Sequence, residues 1–145
     1  MNFTETQANI RNETQIRVRY AETDQMGFVY YGNYFAFFEV GRAELMREMG
    51  LPYRGLEERG FLLPVTEADC KYKSAARYDE LVSIRTAITR LTPVRIQFSY
   101  EVFGEDGRAV AFGGTSHVFT DNTGRPVNVS KKDPELWQQL IGLEN

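Results

Sequence analysis

One long amphipathic segment, residues 33–49, limits this chain to folds that cover one side of a single helix. Its apolar side chains recur at spacings of three and four, which places them on one stripe: Tyr34, Phe37, Phe38, Gly41, Leu45 and Met49. Asn33 is predicted to cap the amino end, and Gly50 followed by Pro52 to end the helix. Such a helix is about 25 Å long, enough to cross a sheet. Gly41 in the helix interior costs about 1 kcal/mol of stability relative to alanine. A glycine is therefore expected here only if a side chain has no space, so we expect a strand to approach the helix closely at this position.

Most of the remaining chain alternates between apolar and polar residues, the period of a strand with one buried face. Five such segments are predicted: 13–20, 61–72, 81–90, 94–103 and 108–120. A short terminal helix is predicted at residues 134–141. This order predicts an α+β fold, in which one curled antiparallel sheet covers the long helix. The edges of that sheet favour self-association.

Length and composition exclude several classes of protein. The 145 residues fit a single domain, residues 1–145, in which the polar residues 1–12 are predicted to form a flexible arm. A net charge of −3 argues against a nucleic-acid partner. A single cysteine excludes an internal disulfide and argues against a thiol-rich metal site. The chain shows no secretory signal and no apolar run long enough to span a bilayer, so we expect a cytoplasmic protein.

Familiar catalytic patterns are missing from the sequence. There is no glycine-rich phosphate loop, no dinucleotide-binding motif and no serine nucleophile elbow. His117, the only histidine, lies within a predicted strand, where a structural role is favoured over that of a base. Cys70 is interpreted as a small buried hydrophobe. Glu39 and Arg42, three apart on the helix, form either a surface pair or a structural clamp.

Asp24 is the strongest candidate for chemistry, in a polar loop just before the long helix. Its neighbours have good turn composition, so a purely structural role stays open for Asp24 and also for Glu22. However, the amides of about residues 30–34 include unpaired donors at the helix start, where the helix dipole is positive. Those amides could polarise a carbonyl while the carboxylate attacked its carbon or activated a water.

The central motif Thr23-Asp24-Gln25-Met26-Gly27-Phe28-Val29-Tyr30-Tyr31-Gly32-Asn33-Tyr34 resembles the 4-hydroxybenzoyl-CoA thioesterase family of acyl-CoA thioesterases. The segment YKSAARYDEL at residues 72–81 and the residues 118–121 also fit, so that the resemblance covers about residues 13–130. It implies the hotdog fold, a five-stranded antiparallel sheet wrapped around one long helix. It also implies homodimers joined sheet edge to sheet edge, assembling to homotetramers, with active sites at subunit interfaces.

Carried across by position, the resemblance implies roles for four residues of the motif. Asp24 matches the catalytic aspartate, acting as nucleophile or as general base, and Tyr31 matches the residue whose backbone amide polarises the thioester carbonyl. Gly32 and Tyr34 are expected to contact the substrate. Many relatives carry histidine where Tyr31 stands, a difference that is harmless if only the amide is used. A thiolate leaves without a general acid, and no metal or cofactor is expected because coenzyme A is part of the substrate.

Coenzyme A carries phosphates, so basic residues are expected near the mouth of the site. Arg90 and Arg95 flank the Thr92-Pro93 bend and are predicted to bind substrate; further candidates are Arg125, Lys131 and Lys132. The predicted activity is hydrolysis of a small or medium acyl-CoA, aromatic ones included. Three alternatives stay open: a thioesterase for acyl groups on acyl carrier protein, a dehydratase on the same fold, and a non-catalytic acyl-CoA-binding module.

Overall fold

A computed structural model describes residues 11–142, which form one antiparallel sheet and one long helix. The strands are β1 (Arg11–Arg17), β2 (Val65–Tyr72), β3 (Leu81–Leu91), β4 (Arg95–Phe103) and β5 (Ala109–Val118). They lie in the order β1-β3-β4-β5-β2, so β1 and β2 are the two edges. The helices are α1 (Tyr34–Glu48), α2 (Tyr53–Glu58), α3 (Val129–Lys132) and α4 (Pro134–Gly142). The predicted α+β architecture, a five-stranded sheet around one long helix, is confirmed.

The two edge strands differ most from the predicted bounds, and β2 begins at Val65 instead of residue 61. β1 begins at Arg11, because Arg11 and Asn12 pair with β3, so placing these two residues in a flexible arm was wrong. The rest of that arm, residues 1–10, lies outside the described residues. β1 also ends earlier than predicted, since the chain turns at residues 20–22 into a short 3-10 helix.

Within residues 11–142, none of the helices has the length and apolarity needed to cross a bilayer.

The predicted apolar stripe of α1 is buried against the sheet. Phe37, Phe38 and Leu45 are almost fully excluded from solvent, and Phe38 stacks on Tyr100 of β4 with ring centroids 4.4 Å apart. A Cβ atom on Gly41 would collide with the side chains of Thr86 and Ile84. The close approach of a strand predicted at this glycine is therefore confirmed.

The predicted helix cap at Asn33 is wrong in its chemistry. Asn33 precedes α1, but it is helical itself (φ −73°, ψ −13°) and its side chain accepts no hydrogen bond from the first turn. The reason is a 3-10 turn, Tyr31–Asn33, that runs directly into α1. The Asn33 amide instead donates from Nδ2 to the backbone carbonyl of Glu22 at 2.9 Å, which ties the helix start to the preceding loop.

A buried polar chain crosses the inner face of the sheet beneath α1. His117 Nδ1 lies 3.0 Å from the Leu63 carbonyl, which can only accept, so Nδ1 carries the proton and Nε2 is the acceptor. The Thr115 hydroxyl then donates to Nε2 at 2.9 Å, Tyr100 donates to Thr115 at 2.6 Å, and Arg42 donates to Tyr100 at 3.1 Å. His117 is thus a satisfied structural residue, and Arg42 acts as the clamp between helix and sheet.

The neutrality of His117 predicts a pH dependence of stability. Burial, together with the charge of Arg42, lowers the pKa of His117 below its usual value of about 6.5. The unfolded chain therefore binds a proton that the folded chain does not, and the free energy of unfolding should decrease as the pH falls below about 6.5, by at most about 1.4 kcal/mol per pH unit. Urea unfolding between roughly pH 5 and pH 7.5 measures this slope.

His117→Gln is the matched control, because the chain contains no other histidine. Its stability should be nearly flat over the same range, since the carboxylates of Glu80 and Asp133 have lowered pKa values and are protonated only in more acidic solution. An equal slope in the variant and the wild type would show that His117 is not the group responsible.

Candidate functional site

Asp24 lies in a tight turn that its own side chain stabilises. Its backbone N–H donates to the Phe28 carbonyl at 2.8 Å, and its carbonyl accepts from Gly27 at 3.0 Å. The carboxylate oxygen Oδ1 accepts from the amides of Met26 at 2.8 Å and Phe28 at 3.3 Å. Within residues 11–142, no group donates a hydrogen bond to the second oxygen, Oδ2. The structural and chemical roles considered for Asp24 are therefore compatible, because the turn uses only one of the two oxygens.

Asp24 is half-buried and lines a cavity of about 350 Å³. Two stretches distant in sequence form the walls: the Asp24 turn with the helix start that follows it, and the end of β2 with its following loop. The lining residues are Asp24, Met26, Phe28, Val29, Tyr31, Tyr34, Tyr72, Lys73, Ser74 and Ala75. The fold thus brings three of the predicted site residues, Asp24, Tyr31 and Tyr34, to one cavity.

The start of the helix offers two backbone donors beside this cavity. The amides of Tyr30, Asn33 and Tyr34 donate to carbonyls within the loop and the 3-10 turn. Among the described residues, no carbonyl or side chain accepts from the amides of Tyr31 and Gly32. These are the unpaired donors predicted from the sequence, and the positive end of the helix dipole strengthens their attraction for an oxyanion. Gly32 adjoins the cavity without lining it.

Tyr72, at the end of β2, is a site residue that the sequence analysis missed. Its ring contacts those of Tyr31 and Tyr34, with centroid distances of 6.2 and 5.5 Å, and its hydroxyl donates to the Tyr31 carbonyl at 3.1 Å. Burial, and then the contact with the Cys70 thiol, raises the pKa of Tyr72 to about 12, so the hydroxyl stays protonated at neutral pH. The only signal in the sequence was its position in the segment YKSAARYDEL.

Cys70 itself is half-buried and packs against the hydrophobic core, so its interpretation as a small buried hydrophobe is confirmed in part. Its strand, β2, is an edge of the sheet, and most of its side chains are exposed. The Cys70 side chain points to the same face as Tyr72, two residues away along the strand, and the two polar groups are in contact. The thiol pKa is raised by burial, so at neutral pH the group is a neutral thiol.

A single chain does not bring Arg90 and Arg95 to the Asp24 cavity. Arg95 pairs with Val118 of β5, whereas Tyr72, at the cavity, pairs with Ala111 on the same strand. Seven residues of β5 separate these two levels of the sheet, which corresponds to about 23 Å. Arg90 lies near the same distant end, opposite Gln97. Their predicted contact with coenzyme A stays a prediction.

Two other basic residues lie beside the cavity and were not predicted. Lys73 lines it directly. Arg77 stacks over the ring of Phe28, with its guanidinium carbon 4.6 Å from the centroid. Both follow β2, in the loop that forms one wall of the cavity. They give that wall the positive charge that a phosphate-bearing ligand requires.

An ion pair fixes this wall. Arg108 donates to the backbone carbonyl of Ala75 and to both carboxylate oxygens of Glu80, at 2.7 and 3.0 Å. The same guanidinium holds the pKa of Glu80 below its ordinary value. The Glu80 side chain is mostly buried, so this pair is more than a surface contact. The loop that carries Lys73 and Ala75 is thereby held against the sheet.

Comparison with known proteins finds relatives in both sequence and structure. The sequence pattern of the Thioesterase superfamily matches residues 26–111. A candidate acyl-CoA thioesterase of Bacillus subtilis, YneP, is 33% identical over 125 residues, which cover 86% of this chain and 91% of that protein. A DHNA-CoA thioesterase from Staphylococcus aureus has a similar structure, with a TM-score of 0.87, 31% identity and coverage of 92% of this chain and 91% of that one.

A 4-hydroxybenzoyl-CoA thioesterase shares the fold at lower sequence identity. Its crystal structure, of a mutant bound to 4-hydroxybenzoyl-CoA, superimposes with a TM-score of 0.74 and 23% identity, over 82% of this chain and 92% of that one. The overall structure and the matched sequence pattern both agree with these relatives. The chain therefore belongs to the Thioesterase superfamily of hotdog-fold thioester hydrolases.

Proposed function

We propose that this protein hydrolyses acyl-CoA thioesters in the cavity beside Asp24. The observation that carries the proposal is that Asp24, with an unbonded carboxylate oxygen, and Tyr31, with an unpaired amide, line one cavity. The unpaired amide of Gly32 follows directly in the chain. A carbonyl oxygen held by those amides would gain negative charge during attack. One well-placed amide donor stabilises such charge by roughly 3–4 kcal/mol.

The reaction then follows one of two routes. In the first, an Asp24 oxygen attacks the thioester carbon, the C–S bond breaks, and water cleaves the resulting anhydride. In the second, Asp24 takes a proton from water as that water attacks the same carbon. Coenzyme A leaves as a thiolate in both, and because thiols have a pKa near 8.5, no general acid is needed. Single-turnover hydrolysis in ¹⁸O-water tests the first route, since label in Asp24 would establish an anhydride that water cleaves at the Asp24 carbon.

The proposed substrate is a small or medium acyl group, aromatic acyl groups included. The walls of the cavity are rich in aromatic rings, which suits a planar acyl group, and the relative from Staphylococcus aureus acts on DHNA-CoA. Hydrolysis rates for acetyl-, hexanoyl-, palmitoyl-, benzoyl- and DHNA-CoA test the proposal. We expect kcat/KM to be highest for one of the short or aromatic substrates. Failure to hydrolyse any of the five would overturn the proposed function.

Two alternatives are tested by the same assay. An acyl-carrier-protein thioesterase would prefer carrier-bound acyl groups, so competition between hexanoyl-CoA and hexanoyl carrier protein separates the two activities. A non-catalytic binding module would bind acyl-CoA without releasing free thiol. A dehydratase is disfavoured because the single histidine is fully buried beneath α1, outside the cavity. The cytoplasmic location stays a prediction.

We also propose that two copies pair through the β2 edges, antiparallel to one another. Val65 and Tyr72 on this edge are 50% and 46% exposed, and Phe35 and Val40 present apolar surface on the outer side of α1. Such pairing would bring the sheet end that bears Arg90 and Arg95 in one copy towards the Asp24 cavity of the other. Sedimentation should then give at least twice the chain mass of 16.7 kDa, and a monomer would contradict the pairing.

A further inference from the structure

The 3-10 turn that presents the amides, Tyr31–Asn33, has no buried side chain. Tyr31 is 62% exposed, so burial in the core does not fix the turn in place. Two side-chain hydrogen bonds tie it to other elements instead. One is the bond from Asn33 to the Glu22 carbonyl, and the other is the bond from the Tyr72 hydroxyl to the Tyr31 carbonyl.

The bond from Tyr72 acts on the same peptide unit that carries one of the unpaired amides. The Tyr31 carbonyl and the Gly32 N–H are the two ends of one planar group, so fixing the carbonyl also fixes the N–H. The same carbonyl accepts from the Tyr34 amide. Donation into a carbonyl polarises its peptide and strengthens the N–H as a donor. The partner residues are 41 positions apart in sequence, so the bond anchors the turn to the sheet.

We propose that Tyr72 is a positioning residue for thioester hydrolysis, whose hydroxyl holds the Tyr31–Asn33 turn so that the Tyr31 and Gly32 amides meet the developing oxyanion. This inference rests on the proposed function of the Asp24 cavity. Tyr72 acts through the backbone of Tyr31, and the reacting atoms meet the amides.

The surroundings of the hydroxyl suit this role. Its high pKa keeps it a donor throughout the pH range in which thioesterases are assayed. The neighbouring Cys70 thiol contacts the phenol and contributes to this raised pKa. A phenylalanine at position 72 would keep the ring contacts with Tyr31 and Tyr34 and remove only the hydroxyl.

The test is Tyr72→Phe, assayed with the best substrate of the five acyl-CoA thioesters named above. We expect kcat to fall about 3- to 10-fold, the equivalent of one hydrogen bond, with KM changed less than about twofold. Tyr78→Phe is the matched control, because Tyr78 is an exposed tyrosine outside the cavity and should keep wild-type kcat. Unchanged kcat in Tyr72→Phe, or a rise in KM alone, would overturn the inference.

A spectroscopic measurement separates positioning from a general loss of structure. In the Asp24→Asn background, the carbonyl stretching frequency of the bound ¹³C-labelled substrate should be lowered relative to free substrate. Adding Tyr72→Phe should move it back towards the free value while binding is retained; an unmoved frequency would overturn the inference. Suppose that the wild type hydrolyses a substrate and Asp24→Asn does not. Unchanged kcat and an unmoved carbonyl frequency in Tyr72→Phe would then overturn only the role of Tyr72. If the wild type hydrolyses none, the proposed function itself fails.

Discussion

Asp24→Asn is expected to lower kcat at least about 100-fold, the lower end of the range for a positioned base, while the protein folds as before. An asparagine oxygen can still accept from the amides of Met26 and Phe28, so the turn is kept. What is lost is the negative charge and the second oxygen, which is needed either to attack the carbonyl or to accept a proton from water. Steady-state kinetics with the best acyl-CoA substrate, together with circular dichroism, measure both halves of this expectation.

The chain contains a matched control for this substitution. Asp121 forms the same turn: its Oδ1 accepts from the amides of Thr123 at 2.8 Å and Arg125 at 3.1 Å, and its carbonyl accepts from Gly124. Asp121 does not line the Asp24 cavity. Asp121→Asn therefore makes the same chemical change in the same local geometry and should leave kcat unchanged. Near-wild-type kcat in Asp24→Asn, or an equal decrease in kcat in both variants, would contradict the catalytic role of Asp24.

The two turns also show how far local sequence predicts a site. Thr23-Asp24-Gln25-Met26-Gly27 and Thr120-Asp121-Asn122-Thr123-Gly124 have the same pattern, and both glycines adopt positive φ, +80° and +88°. Composition predicts a turn at each, and the structure agrees. What distinguishes them is tertiary: only the first turn lies beside a helix start and the end of β2. The turn residues alone do not indicate which of the two aspartates lies at a site. The motif from Gly27 to Tyr34, and the family that it resembles, indicated Asp24.

The fold was predictable because its signals are periodic. The stripe on α1 and the alternation in β3 and β4 correspond to buried faces, and Gly41 corresponds to the close approach of β3. Which residues reach the site is not encoded by such periodic signals. Arg90 and Arg95 were chosen for their charge and closeness to a bend, but their distance from Asp24 depends on strand register, which local charge does not encode. Tyr72 was missed for the same reason, since its partner is 41 residues away.

Gly41→Leu is expected to lower the free energy of unfolding by about 3 kcal/mol, the upper end of the usual cost of overpacking. The Cβ atom alone would collide with Thr86 and Ile84 of β3, and both side chains are buried with no room to move aside. The gain in helix propensity over glycine, about 1 kcal/mol, offsets only part of the collision. Urea denaturation followed by circular dichroism gives the change in free energy directly.

Gly41→Ala and Gly55→Ala form the control pair, since both glycines lie within helices and both substitutions add one methyl group. A Cβ on Gly55 would meet only Pro52, at an ordinary contact distance of 3.8 Å, so Gly55→Ala should be neutral or stabilise by up to about 1 kcal/mol. Gly41→Ala should destabilise despite the same gain in propensity, because its methyl group has no space. Equal changes in the free energy of unfolding for the two alanine variants would contradict the close contact between α1 and β3. The position of the helix start beside the Asp24 cavity would then be in doubt as well.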